Sequence, residues 1–101
     1  MNHVRIAAYD VLTGTSADVV TVLQAPDGMI EIFRQQPGFR SYTVLEIDPI
    51  TMMSVSIWET HEEAELAVRA AAEWTATHLG ARVHRTANYV GDALFWEGVG
   101  A

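Results

Sequence analysis

The stretch that decides the fold is residues 36–59, which read QPGFRSYTVLEIDPITMMSVSIWE. A Pro-Gly pair opens the stretch, and two runs with the alternation and length of β-strands follow it, at residues 39–48 and 51–59. Only a short Asp-Pro-Ile connection separates the two runs, and parallel strands need a much longer crossover. The pattern therefore predicts an antiparallel hairpin.

The chain before the hairpin predicts a strand and a broken helix. Residues 4–12 form an apolar run of strand length that ends in a turn signal. Apolar positions then recur at helical spacing over residues 17–36, and Ser16 is placed to cap them. Because Pro26 removes a backbone donor inside this stretch, we expect a short helix followed by a second one that begins near Pro26.

The chain after the hairpin predicts a long helix and a final extended region. Residues 60–79 begin with a capping box formed by Thr60 and Glu63, and Gly80 is placed to end the helix. One apolar stripe runs along it. The stripe consists of Ala64, Ala67, Val68, Ala71, Thr75 and His78. Residues 82–97 are expected to form one or two strands.

The resulting order of elements is β-α-β-β-α-β, the ferredoxin-like arrangement of the α+β class. This arrangement has an antiparallel sheet with its helices on one face. A chain of 101 residues has the usual size of one domain, so we expect a single domain over residues 1–101.

The third strand also predicts a partner copy. Its side chains alternate between a face of small hydroxyls with an indole and a face that is wholly apolar. The first set is Ser54, Ser56 and Trp58, and the second is Met53, Val55 and Ile57. Neither face carries the charged groups of a solvated sheet surface. Since the helices cover only one side, we expect a second copy of the sheet to cover the other in a homodimer.

Charge and composition exclude several classes of function. Thirteen carboxylates stand against six arginines and no lysine, and a formal net charge of −7 argues against a nucleic-acid partner. The chain has no cysteine, which excludes disulfides, thiolate metal sites and cysteine nucleophiles. No spacing of histidines and carboxylates resembles a metal-ligand set, so we expect no metal site. Apolar runs are too short for a membrane span or a signal peptide, and we expect a cytoplasmic protein with no membrane partner.

Several motifs resemble the antibiotic biosynthesis monooxygenase family of dimeric α+β barrel proteins. They are the segments QPGFRSY at residues 36–42 and SVSIWE at residues 54–59, followed by Glu73-Trp74 and His78-Leu79. The resemblance extends from about residue 4 to residue 90, and its motifs are more specific for the fold than for the reaction. It implies a cofactor-independent oxygenase that deprotonates an electron-rich aromatic substrate, whose carbanion then reacts directly with dioxygen.

The resemblance also implies a substrate pocket between the sheet and the helices of each subunit. The family's tryptophan at the end of the third strand corresponds to Trp58. Its asparagine four residues earlier falls at Ser54, its tyrosine early in the next helix at Ala64, and its arginine near the end of that helix at His78. One position of four is identical, which leaves the reaction open. A haem-degrading branch shares only a histidine near the helix end, so haem degradation is the less favoured activity.

Each candidate residue has a functional and a structural interpretation. Trp58 either stacks on a flat substrate and donates its indole N–H to a ketone or phenol oxygen, or closes the core. Ser54 and Ser56 either leave room for a ring or hydrogen-bond to backbone carbonyls. His78 lies one helical turn after Trp74, and it either moves a proton at neutral pH or interacts with the helix dipole.

The leading hypothesis is a cofactor-independent monooxygenase that acts on an aromatic, polyketide-like small molecule. Its catalytic residues are His78 and Trp58, and Ser54, Ser56 and Trp74 bind the substrate. The alternative is a non-catalytic dimer of the same fold that binds a small hydrophobic ligand or has a stress-related role. An enclosed cavity bounded by Trp58, Trp74 and His78 favours the first hypothesis.

Overall fold

The computed structural model describes residues 2–98. These residues form a four-stranded antiparallel sheet with the helices on one face. The strands are β1 (His3–Val11), β2 (Phe39–Asp48), β3 (Thr51–Trp58) and β4 (Val83–Asp92), and the helices are α1 (Ser16–Leu23), α2 (Met29–Gln35) and α3 (His61–His78). The ferredoxin-like order is confirmed. The helix before the hairpin is split in two, as Pro26 predicted, and the last extended region is one strand.

The hairpin has the predicted pairing. β2 and β3 are antiparallel, with Tyr42 opposite Ser56 and Val44 opposite Ser54. Gly38, in the Pro-Gly turn before β2, has a positive φ of 77°, a conformation that glycine adopts at little cost. The strand order is β2-β3-β1-β4, so β1 lies between β3 and β4 and pairs antiparallel with both.

The start of α1 corrects one prediction. The N-cap is Thr15, whose side chain accepts a hydrogen bond from the backbone N–H of Asp18, and the Asp18 carboxylate accepts from the backbone N–H of Thr15 at 2.9 Å. Ser16, the predicted cap, is the first helical residue, and its hydroxyl donates to the carbonyl of Pro49 at 3.2 Å. A capping box needs a polar acceptor three residues after the cap. Thr15 has one in Asp18, whereas Ser16 is followed there by Val19.

Helix α3 begins at the predicted cap, Thr60, and packs against β1, β3 and β4. Its buried stripe is mainly alanine, and such small side chains allow a helix to lie close to a sheet. The buried residues are Ala64, Ala67, Ala71 and Trp74. His78 was predicted on this stripe but is exposed, because the chain buries the next residue, Leu79, at the helix end.

The other face of the sheet carries no helix within residues 2–98 and is partly exposed: Ile57 is buried, whereas Ile6, Ala8, Met53 and Val55 are half-buried. Paired apolar side chains run across it, including Ile6 opposite Val55 and Ala8 opposite Met53. Tyr89, opposite Ile6 on β4, is 66% exposed. In the same part of the chain no helix combines the length and the apolar character needed to cross a membrane. The cytoplasmic location stays a prediction.

Candidate active site

The helix-facing side of the sheet carries a buried polar row. Arg5, Ser54 and Ser56 are each at most 2% exposed. In the pairing of β1 with β3, Arg5 is opposite Ser56 and Ala7 is opposite Ser54. Directly opposite residues of antiparallel strands point to the same face, so these side chains lie together beneath the helices.

Arg5 is a buried cation without an anionic partner. It is 1% exposed, its Nε donates to Asn88 Oδ1 at 3.2 Å, and its Nη2 donates to Tyr9 Oη at 3.3 Å. Among residues 2–98 no carboxylate forms a salt bridge with it. A guanidinium has five N–H donors, and a buried charge without a counter-charge is costly. Arg5 therefore retains donors and charge with which to bind an anionic oxygen.

The two serines of β3 differ in their hydrogen bonding. Ser56 Oγ accepts a hydrogen bond from the indole Nε1 of Trp58 at 2.8 Å. The Ser54 hydroxyl is buried and has no hydrogen-bond partner among the described residues. Buried hydroxyls in proteins nearly always have a partner in protein, water or ligand. Ser54 is therefore the serine whose hydrogen-bonding capacity is left unused by the described residues.

Two adjacent cavities share the ring of Tyr9 as a wall, and none of Arg5, Ser54 and Ser56 lines either of them. The larger has a volume of about 200 Å³ and is lined by Tyr9, Ala72, Thr75, Ala76, Val83 and Arg85. The smaller has a volume of about 10 Å³ and reaches inward to Tyr42 and Met52. Since Tyr9 also contacts Arg5, the phenol connects the larger cavity to the buried cation.

Tyr42 supplies a second phenol near Arg5. Burial raises the pKa of Tyr42 well above its ordinary value of 10.0; the neighbouring Tyr9 raises it further and Arg5 opposes the increase. Desolvation disfavours the charged form of a tyrosine. Tyr42 is therefore a neutral hydrogen-bond donor throughout the physiological pH range.

The structure brings part of the predicted site together. Ser54, Ser56 and Trp58 share the helix-facing side of β3, as the alternation predicted. Trp58 is fully buried, and its ring packs edge-to-face on Phe33 and Phe39 with centroid distances of 5.4 and 5.5 Å. Its indole N–H is already bonded within the protein.

Trp74 and His78 lie far from Trp58. The 18-residue helix α3 begins three residues after Trp58 and ends at His78. At a rise of ~1.5 Å per residue, the two ends of α3 are about 25 Å apart. The Trp74 indole N–H donates a hydrogen bond to the Asp27 carbonyl at 3.0 Å. The His78 ring stacks on the Trp74 ring, with the ring centroids 4.7 Å apart. Neither cavity is lined by these three residues. Their catalytic and binding roles stay predictions.

Residues that sequence reasoning did not select complete the polar row. Arg5 and Tyr9 stand at the same parity in the apolar run of β1, which is a signal that a helix-facing polar pair was present. Asn88 had no such signal. Two histidines and an aspartate also meet at the end of the sheet where β1 begins: His3, His61 and Asp92. They line neither cavity.

Comparison with known proteins gives a likeness of fold. No family model and no curated protein matches the chain. SnoaB, a cofactor-independent oxygenase from Streptomyces nogalater, superposes with a TM-score of 0.73 at 19% identity, covering 94% of this chain and 95% of that one. For a monooxygenase from the gene ActVA-Orf6 of Streptomyces coelicolor, in complex with nanaomycin D, the TM-score is 0.59 at 18% identity, with 96% and 93% covered.

A third structure, described as an antibiotic biosynthesis monooxygenase, has a TM-score of 0.52 at 17% identity and covers 90% of this chain and 98% of that one. Coverage of nine-tenths or more of each chain means that the likeness extends over the whole fold. The chain therefore has the fold of the antibiotic biosynthesis monooxygenases, which confirms the fold that the sequence resemblance predicted.

Proposed function

We propose that the chain is a cofactor-independent monooxygenase that acts on a small aromatic phenol or ketone between β1 and α3. The observation that carries the proposal is Arg5, a guanidinium buried without a carboxylate. It lies on the helix-facing side of a fold that a cofactor-independent oxygenase shares. Such a group stabilises the anion on which this chemistry depends.

The proposed reaction begins with transfer of a proton to solvent water, either from the phenol O–H or from a methylene carbon conjugated to the ketone; in both cases the carbon that reacts keeps one hydrogen. The resulting enolate passes one electron to dioxygen, and the two radicals join in a C–O bond. Protonation of the peroxide gives a hydroperoxide, which loses water and leaves a new carbonyl group. Both electrons that reduce the second oxygen atom come from the substrate carbon, so the reaction needs no external reductant.

Three groups of the chain have distinct parts in this proposal. The Arg5 guanidinium holds the enolate oxygen and makes its formation easier, because a charge-assisted hydrogen bond strengthens as negative charge develops. Ser54 offers a second donor from the neighbouring strand. Tyr42 stays protonated because its pKa is raised. It can therefore donate a hydrogen bond to the substrate oxygen, and it does not take up the proton that the substrate loses.

The larger cavity, which is open to solvent on one side, has room for a small ring system. An apolar cavity of ~150 Å³ in another protein accommodates benzene. At about 200 Å³, with the ring of Tyr9 as one wall, the cavity matches one ring or two fused rings. We therefore propose monocyclic or bicyclic substrates, a narrower class than the aromatic, polyketide-like molecules of the sequence-based hypothesis.

The test is oxygen consumption with naphthols, which have two rings, and with an anthrone, which has three, measured with and without the protein and with the new carbonyl group identified in the product. We expect uptake above the spontaneous rate for the smaller substrates, and a kcat lowered by about 100- to 1000-fold in Arg5→Met. Arg69→Met, which changes an exposed arginine of α3, is the matched control. Substrates that bind but are consumed at the spontaneous rate indicate the non-catalytic alternative.

We further propose that the chain functions as a homodimer paired through the face of the sheet that carries no helix. Tyr89 on that face is 66% exposed, and the segment after β4 adds Leu94 at 93% and Phe95 at 83%. Exposed apolar surface on this scale marks an interaction site, and a two-fold contact covers the same surface on both copies. Light scattering after size exclusion measures the mass against the 11.1 kDa of one chain.

A further inference from the structure

Three side chains from three different elements converge at one end of the sheet, on its helix-bearing side. His3 begins β1, Asp92 ends β4 directly opposite it, and His61 is the first residue of α3. Nδ1 of His3 is hydrogen-bonded to a carboxylate oxygen of Asp92, and Nδ1 of His61 lies 3.7 Å from the same oxygen. We propose that His3, His61 and Asp92 bind a divalent transition-metal ion of the zinc type.

The three donor atoms are near the separation that one shared ion requires. A donor atom from each lies within 4.8 Å of the other two. Zinc bonds to imidazole nitrogen and carboxylate oxygen are ~2.0–2.2 Å long, so two donors on one ion are at most about 4.3 Å apart. The two imidazole rings are 6.3 Å apart at 88°, and His61 and Asp92 are exposed. Small rotations of these side chains are enough to bring the three donors onto one ion.

A second carboxylate orients one of the proposed ligands. The other nitrogen of His61, Nε2, lies 3.2 Å from Oε1 of Glu65, one turn further along α3. A histidine that binds a metal through one ring nitrogen commonly donates the N–H of the other to a carboxylate. This hydrogen bond selects the tautomer and turns the unprotonated nitrogen towards the ion. Here Glu65 directs Nδ1 of His61 towards Asp92.

The chemistry of the donors selects the class of ion. Two imidazoles and one carboxylate suit zinc, cobalt and iron, whereas calcium and magnesium prefer oxygen donors alone. Three protein ligands leave at least one position for water. The positive end of the α3 dipole disfavours a bound cation. Glu62 and Glu63 in the first turn, together with the net charge of −7, offset this repulsion.

This proposal is independent of the oxygenase proposal. None of the three ligands lines either cavity, and Arg5 has no contact with them among its hydrogen bonds. Metal binding and oxygen consumption can therefore fail separately. A bound ion joins the ends of β1, α3 and β4, so it is expected to raise the temperature of unfolding.

The experiment is a titration of the intact chain with Zn²⁺ by calorimetry and with Co²⁺ by visible absorption, both at neutral pH. We expect one ion per chain and cobalt bands typical of a site with mixed nitrogen and oxygen ligands. His61→Ala and Asp92→Asn should each weaken binding by more than about tenfold, since even changes to groups that only orient a ligand cost ~10- to 100-fold. Glu65→Gln should weaken it by about tenfold.

His84→Ala is the matched control, because His84 is an exposed histidine of β4 outside the cluster. We expect it to bind Zn²⁺ as the unchanged chain does, with Zn²⁺ raising the unfolding temperature equally in both. His61 is exposed in the first turn of α3, so its replacement leaves the core intact, and circular dichroism checks this. No binding by the unchanged chain, or an equal loss in His84→Ala and His61→Ala, overturns the proposal.

Discussion

The guanidinium of Arg5 donates a hydrogen bond to the phenol oxygen of Tyr9, four residues further along the same strand, at 3.3 Å. The Arg5 side chain must therefore extend along the sheet over Ala7, which is fully buried beneath it. Ala7 is opposite Ser54, so the charge, the phenol and the unbonded hydroxyl occupy one small region. A larger residue at position 7 would occupy the space that the guanidinium needs.

The cost of burying Arg5 gives a prediction about stability. Asn88→Leu removes the acceptor of the Arg5 Nε and leaves a buried charge with fewer partners, so it should lower the free energy of unfolding by about 1–3 kcal/mol. Arg5→Met in the same chain removes the stranded charge. Urea unfolding should show the double variant to be more stable than Asn88→Leu alone. If the second change adds to the loss instead, Arg5 is a stabilising core residue and not one held in place at a cost.

Replacing each of the two serines of β3 by alanine should change the free energy of unfolding differently. Ser56→Ala leaves the Trp58 indole N–H unbonded and should cost about 1–3 kcal/mol. Ser54→Ala removes a hydroxyl that has no partner and should leave stability unchanged or raise it by about 1 kcal/mol. Thermal or urea unfolding measures both. Equal losses in the two variants mean that Ser54 has a bound water, which a site for a ligand oxygen also accommodates.

Local patterns predicted the fold well because the features that define it are local. Strand alternation has a period of two, and the hairpin connection lies within a single stretch, so residues 39–58 carry their own pairing. The Arg5 and Asn88 contact is different, because it joins residues 83 positions apart. It depends on β1 lying next to β4, and nothing in either segment specifies that order. The same holds for His3 with Asp92.

The predicted constellation of Trp58, Trp74 and His78 shows a second limit. Two of the three residues, Trp58 and Trp74, are buried, but none of the three lines either cavity. Their separation follows from helix geometry, since α3 carries Trp74 and His78 away from the end of β3. Similarity at aligned positions does not make side chains neighbours. Besides Tyr9, the larger cavity is lined by Ala72, Thr75 and Ala76 of α3 and by Val83 and Arg85 of β4, and none of these residues belongs to the motifs.

Alkaline pH should reveal the burial of Tyr42. Its pKa in the folded protein is raised above the ordinary value of 10.0, so the folded state holds the phenol proton more tightly than the unfolded state does. The stability from this difference is complete below about pH 10 and is lost as the pH rises towards the folded-state pKa. Urea unfolding should show a steeper alkaline loss in the unchanged chain than in Tyr42→Phe. Parallel profiles for the two contradict the burial of this phenol.

The face of the sheet that carries no helix gives a prediction about assembly. Val55 lies opposite Ile6 at the centre of that face, so Val55→Asp places a charge in the proposed dimer contact. We expect light scattering to change from a dimer to a mass near the 11.1 kDa of one chain. Ala17→Asp, an exposed position in the first turn of α1, adds the same charge on the helix-bearing side and should leave the dimer intact. A monomer in all three proteins contradicts the proposed homodimer.

His78 allows the predicted catalytic role to be separated from a structural one. The ring is exposed and stacks on Trp74, so His78→Ala should change the free energy of unfolding by less than about 1 kcal/mol, whereas Trp74→Ala should cost about 3–5 kcal/mol. If His78 accepts the substrate proton, His78→Ala lowers kcat and removes the acidic limb of the pH–rate profile, since a general base must be unprotonated. If the rate and the profile stay unchanged while Arg5→Met is inactive, proton loss depends on the field of Arg5, and the catalytic assignment of His78 is wrong.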